Sequence, residues 1–192
     1  AIELGMNLDA TDTATPTGFD PANAQGTSNA REVVTVFDSL GTARQATIFF
    51  TKTAANEWEF NVALAEDDAD PATRTGDPFV VQGTGTLSFD PAGTGTLNAI
   101  TGTSITFEFD NSNGASGTQA VSFGMGPVAG GATTGVPTTQ FNQPAVTNFV
   151  SQDGFAPGTL SALEFDVDGK LNGVFTNGVT SSLAQIALAN FG

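Results

Sequence analysis

The side chains that could do chemistry in this sequence are mainly carboxylates, and they occur at three places. Asp38 directly precedes Ser39, four acids lie between residues 66 and 70, and Asp166 and Asp168 lie close to a glycine. An acid beside a serine is compatible with a nucleophilic site. Clustered carboxylates are hard oxygen ligands of the kind that calcium binds. Each of the three places could therefore be a reactive or metal-binding site, or it could be a turn or loop.

Histidine and cysteine are both absent from the sequence. Ser-His-Asp and Cys-His catalysis lose their base without histidine, and the common catalytic zinc sites lose their imidazole ligands. Paired carboxylates can cleave glycosides, but no pair here stands apart from turn or loop positions. The sequence therefore predicts no catalytic, cofactor-binding or metal-ligating residue, no cofactor and no enzymatic activity.

Turn chemistry accounts for the residues around Ser39, which lies outside a Gly-x-Ser-x-Gly elbow. Asp38 occupies the first position of a turn, where its carboxylate can accept hydrogen bonds from the turn backbone. Gly41 can take the positive φ that follows a type I turn and forms a G1 bulge. The stretch from Asp38 to Gly41 is therefore predicted to be a hairpin turn.

The other two acidic places also favour structural explanations over metal binding. The stretch 65–78 contains two prolines and lacks both the spacing of an EF-hand and its closing glutamate, which favours a solvated loop over a calcium site. In the stretch 165–170, Gly169 directly follows Asp168, whereas an EF-hand loop places its glycine at position six. A hairpin turn is the prediction there, and metal binding remains the weaker alternative.

Composition narrows the possible partners. The chain has 192 residues with 20 acidic and five basic side chains, and its formal net charge is −15. This charge argues against nucleic-acid binding and against docking on anionic membrane surfaces. It favours a soluble protein with a well-hydrated surface. No run of about 18 apolar residues is present, so no bilayer-spanning helix is predicted.

Strands are predicted to position these turns, because apolar residues alternate with a period of two and the chain contains 23 glycines. A meander of three strands is centred on Val34, Ile48 and Phe60. The stretch 124–144 is predicted to be a long surface loop or an extended crossing strand, and 183–191 is the most apolar segment. Other strands are predicted at residues 2–8, 79–81, 86–89, 96–100, 104–109, 120–123, 160–167 and 171–175. The predicted fold class is all-β.

Several motifs give the sequence a family resemblance. VTVFDSLGTARQATIFFTK (34–52), followed by the Asn-Glu-Trp run at 56–58, resembles the signature of the bacterial flagellar hook protein. The stretch 153–178 and the final LAQIALANFG (183–192) resemble the segment in which that family returns to its inner domain. ELGMNLDA (3–10) resembles the segment that leads outward. The helical terminal regions of that family have no counterpart here, so the chain is predicted to be a middle fragment.

The resemblance implies a domain organisation and a function. It implies an outer barrel-like or sandwich-like β-domain at 9–154, inserted into a smaller inner β-domain formed by 1–8 and 155–192. It implies a structural subunit, exported through the flagellar secretion apparatus, that self-assembles outside the cell into the flexible hook and transmits torque to the filament. The implied partners are other copies, the hook cap, the hook–filament junction proteins and the distal rod. The fragment alone is expected to be monomeric.

Two alternatives to this function stay open at the level of sequence. A flagellar rod protein or hook-associated axial protein belongs to the same structural class. A secreted β-sandwich adhesin or carbohydrate-binding module belongs to another class. Aromatic platforms for sugar stacking would favour the binding module, but the chain has one tryptophan and no tyrosine.

Overall fold

The computed structural model describes residues 1–15, 17–128 and 135–186. Within these residues, the chain forms strands joined by short turns, and the all-β fold class predicted from the sequence is confirmed. The one α-helix among the described residues, α1, is a single turn, and no described helix is long and apolar enough to cross a bilayer. The elements are β1 (Ile2–Asp9), α1 (Ala24–Thr27), β2 (Ala30–Phe37), β3 (Ala43–Ala54), β4 (Glu57–Ala65), β5 (Phe79–Phe89), β6 (Leu97–Ile100), β7 (Ser104–Glu108), β8 (Thr118–Gly124), β9 (Thr139–Phe141), β10 (Val146–Gln152), β11 (Leu160–Phe165), β12 (Lys170–Phe175) and β13 (Thr180–Gln185).

One sheet is an antiparallel meander of five strands in the order β2-β3-β4-β5-β6. Its first three strands are the predicted meander, which is confirmed. Strand β5 is continuous, although two separate pieces were predicted, because the glycines at its centre break the apolar alternation. Gly85 leaves space there for the ring of Phe60 on β4, since a Cβ at this position would overlap the ring. The same glycine that hides the strand in the sequence therefore permits close packing.

The second sheet has β1 at its centre. Strand β1 pairs antiparallel with β10 and parallel with β8 and β9, and β7 extends the sheet beyond β8. Every second residue of β1, namely Ile2, Leu4, Met6 and Leu8, is buried in the core. The predicted boundary between residues 8 and 9 thus falls inside a strand of this sheet. Whether 1–8 also belong to an inner domain of a longer protein stays a prediction.

Strand β10 has no counterpart among the predicted strands. It lies at the edge of its sheet, so its residues are mostly exposed. Its sequence, Val-Thr-Asn-Phe-Val-Ser-Gln, places polar and apolar residues without a clean alternation. A strand at an edge can tolerate such a pattern, because pairing with β1 rather than burial of one face holds it in place.

A common hydrophobic core lies between the two sheets. Buried apolar residues from both sheets contribute to it, and the rings of Phe60 and Phe123 meet across it with centroids 5.1 Å apart. Offset or tilted aromatic pairs of this kind are favourable beyond the apolar area they bury. The described residues between 1 and 152 therefore form a β-sandwich, one of the two architectures predicted for an outer domain at 9–154.

The outer face of the meander is covered by the chain segment that precedes β2. Phe49 points away from the main core and packs against Phe19 and Phe79, with ring centroids 4.9 Å apart in each pair. The segment was predicted to be a loop, but it contains a 3-10 turn (Pro21–Asn23) directly before α1. The Asp20 carboxylate caps the N-terminal end of this turn. A helix of one turn leaves too little periodicity to be seen in a sequence.

The last three strands form a separate antiparallel sheet in the order β11-β12-β13. Strands β11 and β12 were predicted, although β11 ends at Phe165 rather than at 167. Strand β13 overlaps the most apolar segment of the sequence only at 183–185, and residues 187–191 of that segment lie outside the described part of the chain. All residues of β11 and β13 are exposed.

A buried glutamine joins the two sheets of the sandwich. Strand β9 lies inside the segment 124–144, which was predicted to be a surface loop or a crossing strand. Gln140 of β9 accepts a hydrogen bond from Trp58 Nε1 at 2.6 Å and donates one to the side-chain oxygen of Asn56 at 3.0 Å. Asn56 adopts a positive φ of 61°. The Asn-Glu-Trp motif is therefore part of a buried polar network that fixes β9 against the meander.

Replacing Gln140 tests this network. Gln140→Ala leaves the buried indole N–H without a partner, so we expect the free energy of unfolding to fall by about 1–3 kcal/mol. Urea unfolding followed by the fluorescence of Trp58, the only tryptophan, measures the change. The exposed Gln45→Ala is the matched control, with an expected change within about 0.5 kcal/mol. Equal stabilities of the two variants would contradict the role given to Gln140.

Candidate functional site and interaction surfaces

The Asp38 hairpin turn joins β2 and β3 in the predicted conformation. The Asp38 carboxylate accepts hydrogen bonds from the backbone N–H groups of Leu40 and Thr42, both at 2.9 Å. Gly41 has a φ of 81° and donates its N–H to the Asp38 carbonyl at 2.9 Å. The prediction of a turn with a positive-φ glycine is confirmed, and the acid serves as an acceptor for the turn.

A loop distant in sequence also contacts this turn, through residues that no local sequence pattern marks. Asn113 donates to the second carboxylate oxygen of Asp38 at 3.0 Å. The hydroxyl oxygen of Ser39 accepts the N–H of Ser116 at 2.6 Å. Asp38 itself is only 5% exposed. Ser39 is therefore held as a hydrogen-bond acceptor between two turns of the sandwich.

Two arginines from elsewhere in the chain bind groups of the acidic run at 66–70. The Arg44 guanidinium lies 2.8 Å from a carboxylate oxygen of Asp68 and 3.8 Å from one of Asp38. Arg74 pairs with Asp110 at 3.0 Å and donates to the carbonyl of Ala69. The run was predicted to be a solvated loop, but part of it is a short 3-10 turn tied to neighbouring strands. The ion pairs join residues far apart in sequence, which local patterns do not reveal.

The predicted turn near the C-terminal end repeats the geometry of the Asp38 turn. The carboxylate of Asp166 accepts the N–H groups of Asp168 and Lys170, both at 2.9 Å, and Gly169 has a φ of 74°. The hairpin-turn prediction is confirmed. Within residues 1–15, 17–128 and 135–186, no group of three or more acidic side chains is arranged to hold a metal ion.

Hydrogen bonding lowers the pKa of the turn aspartates. Burial of its carboxyl group alone would raise the pKa of Asp38, but the hydrogen bonds from Asn113, Thr42 and Leu40 outweigh burial and lower it. The hydrogen bond from the Lys170 backbone lowers the pKa of the Asp in the second turn. A carboxylate that receives several N–H groups is stabilised in its charged form. These acids are thus kept ionised as structural acceptors.

The described surface offers few basic groups and two kinds of apolar exposure. Arg44, Lys52 and Arg74 are turned inward, and Lys52 donates to the carbonyl of Ala10 while lying over the Trp58 ring. Single apolar side chains are exposed on the sandwich, which is ordinary for a protein surface. The small sheet is different, because four of its apolar side chains lie on a single face: two lie beside Gly173, one is paired with it and one follows along the same strand. They are Leu160, Leu163, Phe165 and Leu183, and each is at least half exposed.

Comparison with known proteins identifies the family. A family described as "Flagellar basal body protein FlaE D2 domain" matches residues 7–155. The flagellar hook protein FlgE of Helicobacter pylori is 34% identical over 158 residues, which cover 82% of this chain and 21% of that protein. FlgE of Escherichia coli K12 is 30% identical over 197 residues, covering 98% of this chain and 41% of that protein. The chain belongs to the flagellar hook protein family.

The match also defines how much of a hook protein is present. The chain spans between 21% and 41% of the length of these two relatives. Among solved structures, a 32 kDa fragment of the hook protein FlgE from Caulobacter crescentus has a TM-score of 0.51 and 17% identity, covering 73% of this chain and 53% of that fragment. This similarity supports the β-rich fold. The Asp38 turn, the Asn-Glu-Trp run and Gln140 all lie inside the range matched by the family.

The lowered pKa of Asp38 predicts a pH dependence of stability in this hook-family chain. A group with a lowered folded-state pKa stabilises the fold above its unfolded value, near about 3.9, and this contribution is lost as the pH falls through the folded value. Asp38→Asn should therefore destabilise the chain at neutral pH, and its difference from the wild type should shrink on acidification. Urea midpoints between about pH 7 and about pH 2.5 measure this.

Asn113→Ala is the companion variant, because it removes one donor and keeps the titrating group. We expect it to retain the pH dependence with a smaller amplitude. A stability difference between Asp38→Asn and the wild type that stays constant across the pH range would contradict the assignment.

Proposed function

We propose that this chain is the outer part of a structural subunit of the bacterial flagellar hook, the flexible tubular joint that transmits torque from the basal body to the filament. The observation that carries the proposal is identity of 30% or more to proteins named flagellar hook protein over 82% and 98% of the chain. A rod protein, a hook-associated protein or a secreted adhesin has no comparable support. A structural role also fits the turns, whose acids act as backbone acceptors.

The sandwich has properties that suit a torque-bearing part. Its two sheets share one continuous core, and ion pairs and buried side-chain hydrogen bonds tie its loops to its strands. Densely packed cores deform little, so the load would pass through the domain rather than distort it. Bending of the tube would then take place between subunits.

The surface suits contacts that are exchanged as the tube bends. With a net charge of −15 and three of five basic side chains turned inward, neighbouring copies would present hydrated, acidic surfaces to each other. Wet, polar contacts can be broken and re-formed at small net cost, unlike a large apolar interface. We propose that outer-domain contacts along the hook are of this kind.

We further propose that the small sheet belongs to an inner domain completed by chain outside these residues. The apolar face around Gly173 is exposed here. Exposed apolar patches of this type generally mark a surface covered by another part of the molecule or by a partner. The pairing of β1 with β8, β9 and β10 favours counting residues 2–9 with the sandwich, so the division lies near the start of β11.

The remaining parts of the proposal follow from a hook role. The subunit would be exported through the flagellar secretion apparatus and would lie outside the cell. It would contact other copies along the tube, the hook cap during assembly, the distal rod at one end and the hook–filament junction proteins at the other. No catalytic step and no cofactor belongs to this role.

Immunogold electron microscopy tests the function. Antibodies raised against this chain, applied to flagellated cells that express the complete protein, should label the short hook between the cell surface and the filament. Cells deleted for the gene provide the control and should show no label. Label along the filament, on isolated rods or over the general cell surface would replace the proposal with an axial-protein or adhesin role.

The charge also predicts the behaviour of the isolated chain. Because copies carry like charge and repel one another, sedimentation velocity at about 0.1 M salt should show a monomer. Raising the salt concentration screens the repulsion, so any weak association should increase with salt. Tubes or rings that form stably from this chain at low salt would contradict the prediction.

A further inference from the structure

A short linker connects the sandwich to the small sheet. Residues 153–159 join β10 to β11, and strands β11–β13 make their substantial contacts only with one another among the described elements. The relative position of the two units therefore depends on the linker and on whatever touches it.

On the sandwich side, the linker rests against the Asp38 turn and the end of β2. A Cβ atom on Gly41 would lie 2.8 Å from the ring of Pro157, and one on Gly154 would lie 2.9 Å from the ring of Phe37. Real Cβ atoms do not approach other heavy atoms so closely. The backbone of the turn and the backbone of the linker are thus in direct contact with their neighbours, with no room for a side chain.

On the other side, the turn between β12 and β13 holds the far half of the linker. Asn177 donates a side-chain hydrogen bond to the carbonyl of Ala156 at 2.8 Å. The N–H of Thr159 donates to the hydroxyl of Thr176 at 3.0 Å, and Thr176 returns its own N–H to the Thr159 carbonyl at 2.9 Å. The linker is therefore attached to the small sheet before β11 begins.

The turn that Pro157 touches is itself rigid. Its carboxylate accepts two backbone N–H groups and the amide of Asn113, and its serine hydroxyl accepts the N–H of Ser116. A surface fixed by four hydrogen bonds can act as a stop, whereas a freely moving loop would follow the linker.

We propose that the Asp38–Gly41 turn is a stop for the linker and sets the angle between the sandwich and the small sheet. Pro157 seats on the bare backbone of Gly41, and the Asn177 turn carries this position over to the small sheet. If the chain has the proposed function, the stop sets the orientation of the outer domain relative to the inner domain in the hook. The contact itself is a property of the isolated chain and is tested there.

Substitution by asparagine separates the contact from the turn conformation. Gly41 has a φ of 81°, and asparagine tolerates positive φ better than other residues with a Cβ. Gly41→Asn therefore preserves the turn and introduces an overlap with Pro157. Gly93 occupies the same place in the Asp90-Pro-Ala-Gly turn, with a φ of 79° and nothing within 4 Å of a Cβ. Gly93→Asn is thus a control with the same chemical change and an open environment.

Pulsed electron paramagnetic resonance measures the distance between two spin labels, one on each unit, and this distance reports the angle between the sandwich and the small sheet. The chain has no cysteine, so labels attach only at introduced Asn98→Cys on β6 and Ser181→Cys on β13, both exposed positions. We expect one narrow distance distribution for the labelled parent and also for the Gly93→Asn control, which keeps Gly41. In Gly41→Asn, we expect that narrow distance to be lost.

Pro157→Ala approaches the contact from the linker and leaves the turn unchanged, so it covers the case in which Gly41→Asn fails to fold. It should also broaden or shift the distance distribution, while Trp58 fluorescence shows an intact sandwich. A broad distribution in the parent, or an unchanged narrow one in Pro157→Ala, would overturn the proposal. Neither outcome depends on hook assembly, so it would leave the proposed function standing.

Discussion

A fold of short strands needs a tight turn at each reversal, and each turn leaves backbone N–H groups that need acceptors. In this chain, the acceptor is repeatedly an aspartate. At seven described positions, a carboxylate oxygen lies 2.8–3.0 Å from the N–H two residues later. They are Asp9, Asp20, Asp38, Asp70, Asp90, Asp110 and Asp166. Ionised aspartate is a strong acceptor for such groups, so at least seven of the 20 acidic side chains serve as acceptors inside turns.

This constraint also explains which features the sequence could predict. The Asp38 and Asp166 turns were predicted correctly because all their signals lie within a few neighbouring residues: an acid at the first position and a glycine that can take positive φ. The β2–β3–β4 meander was predicted because its alternation is regular. By contrast, Asn113 reaches Asp38 across 75 positions, and no local pattern announces such a contact. The edge strand β10 and helix α1 were missed because neither shows a periodic apolar face.

Buried polar side chains also hold one segment of the chain in place. Gln140 ties β9 to the Trp58 indole, and Asn7 on β1 accepts the N–H of Phe141 at 2.9 Å while donating to the carbonyl of Gln143 at 3.0 Å. Such groups are costly to bury unless they are paired. Because these are paired, they specify one position for the segment 139–143, which has little apolar alternation of its own. The tryptophan and asparagine of this network are recognisable in the sequence as part of a family motif, whereas the glutamine that pairs with them is not.

In the proposed hook role, a joint that bends under load would combine parts that keep their shape with contacts that can change. The sandwich core and the ion pairs of Arg44 and Arg74 belong to the first kind, since each joins strands or loops distant in sequence. The acidic outer surface would belong to the second, because hydrated contacts can be exchanged. The linker is where the two meet. Its seat on Gly41 is made by bare backbone against a proline ring, so it resists compression without forming a bond that must be broken. Because hydrogen bonds at Ala156 and Thr159 tie the other side of the linker to the small sheet, this contact would hold the two units at one angle.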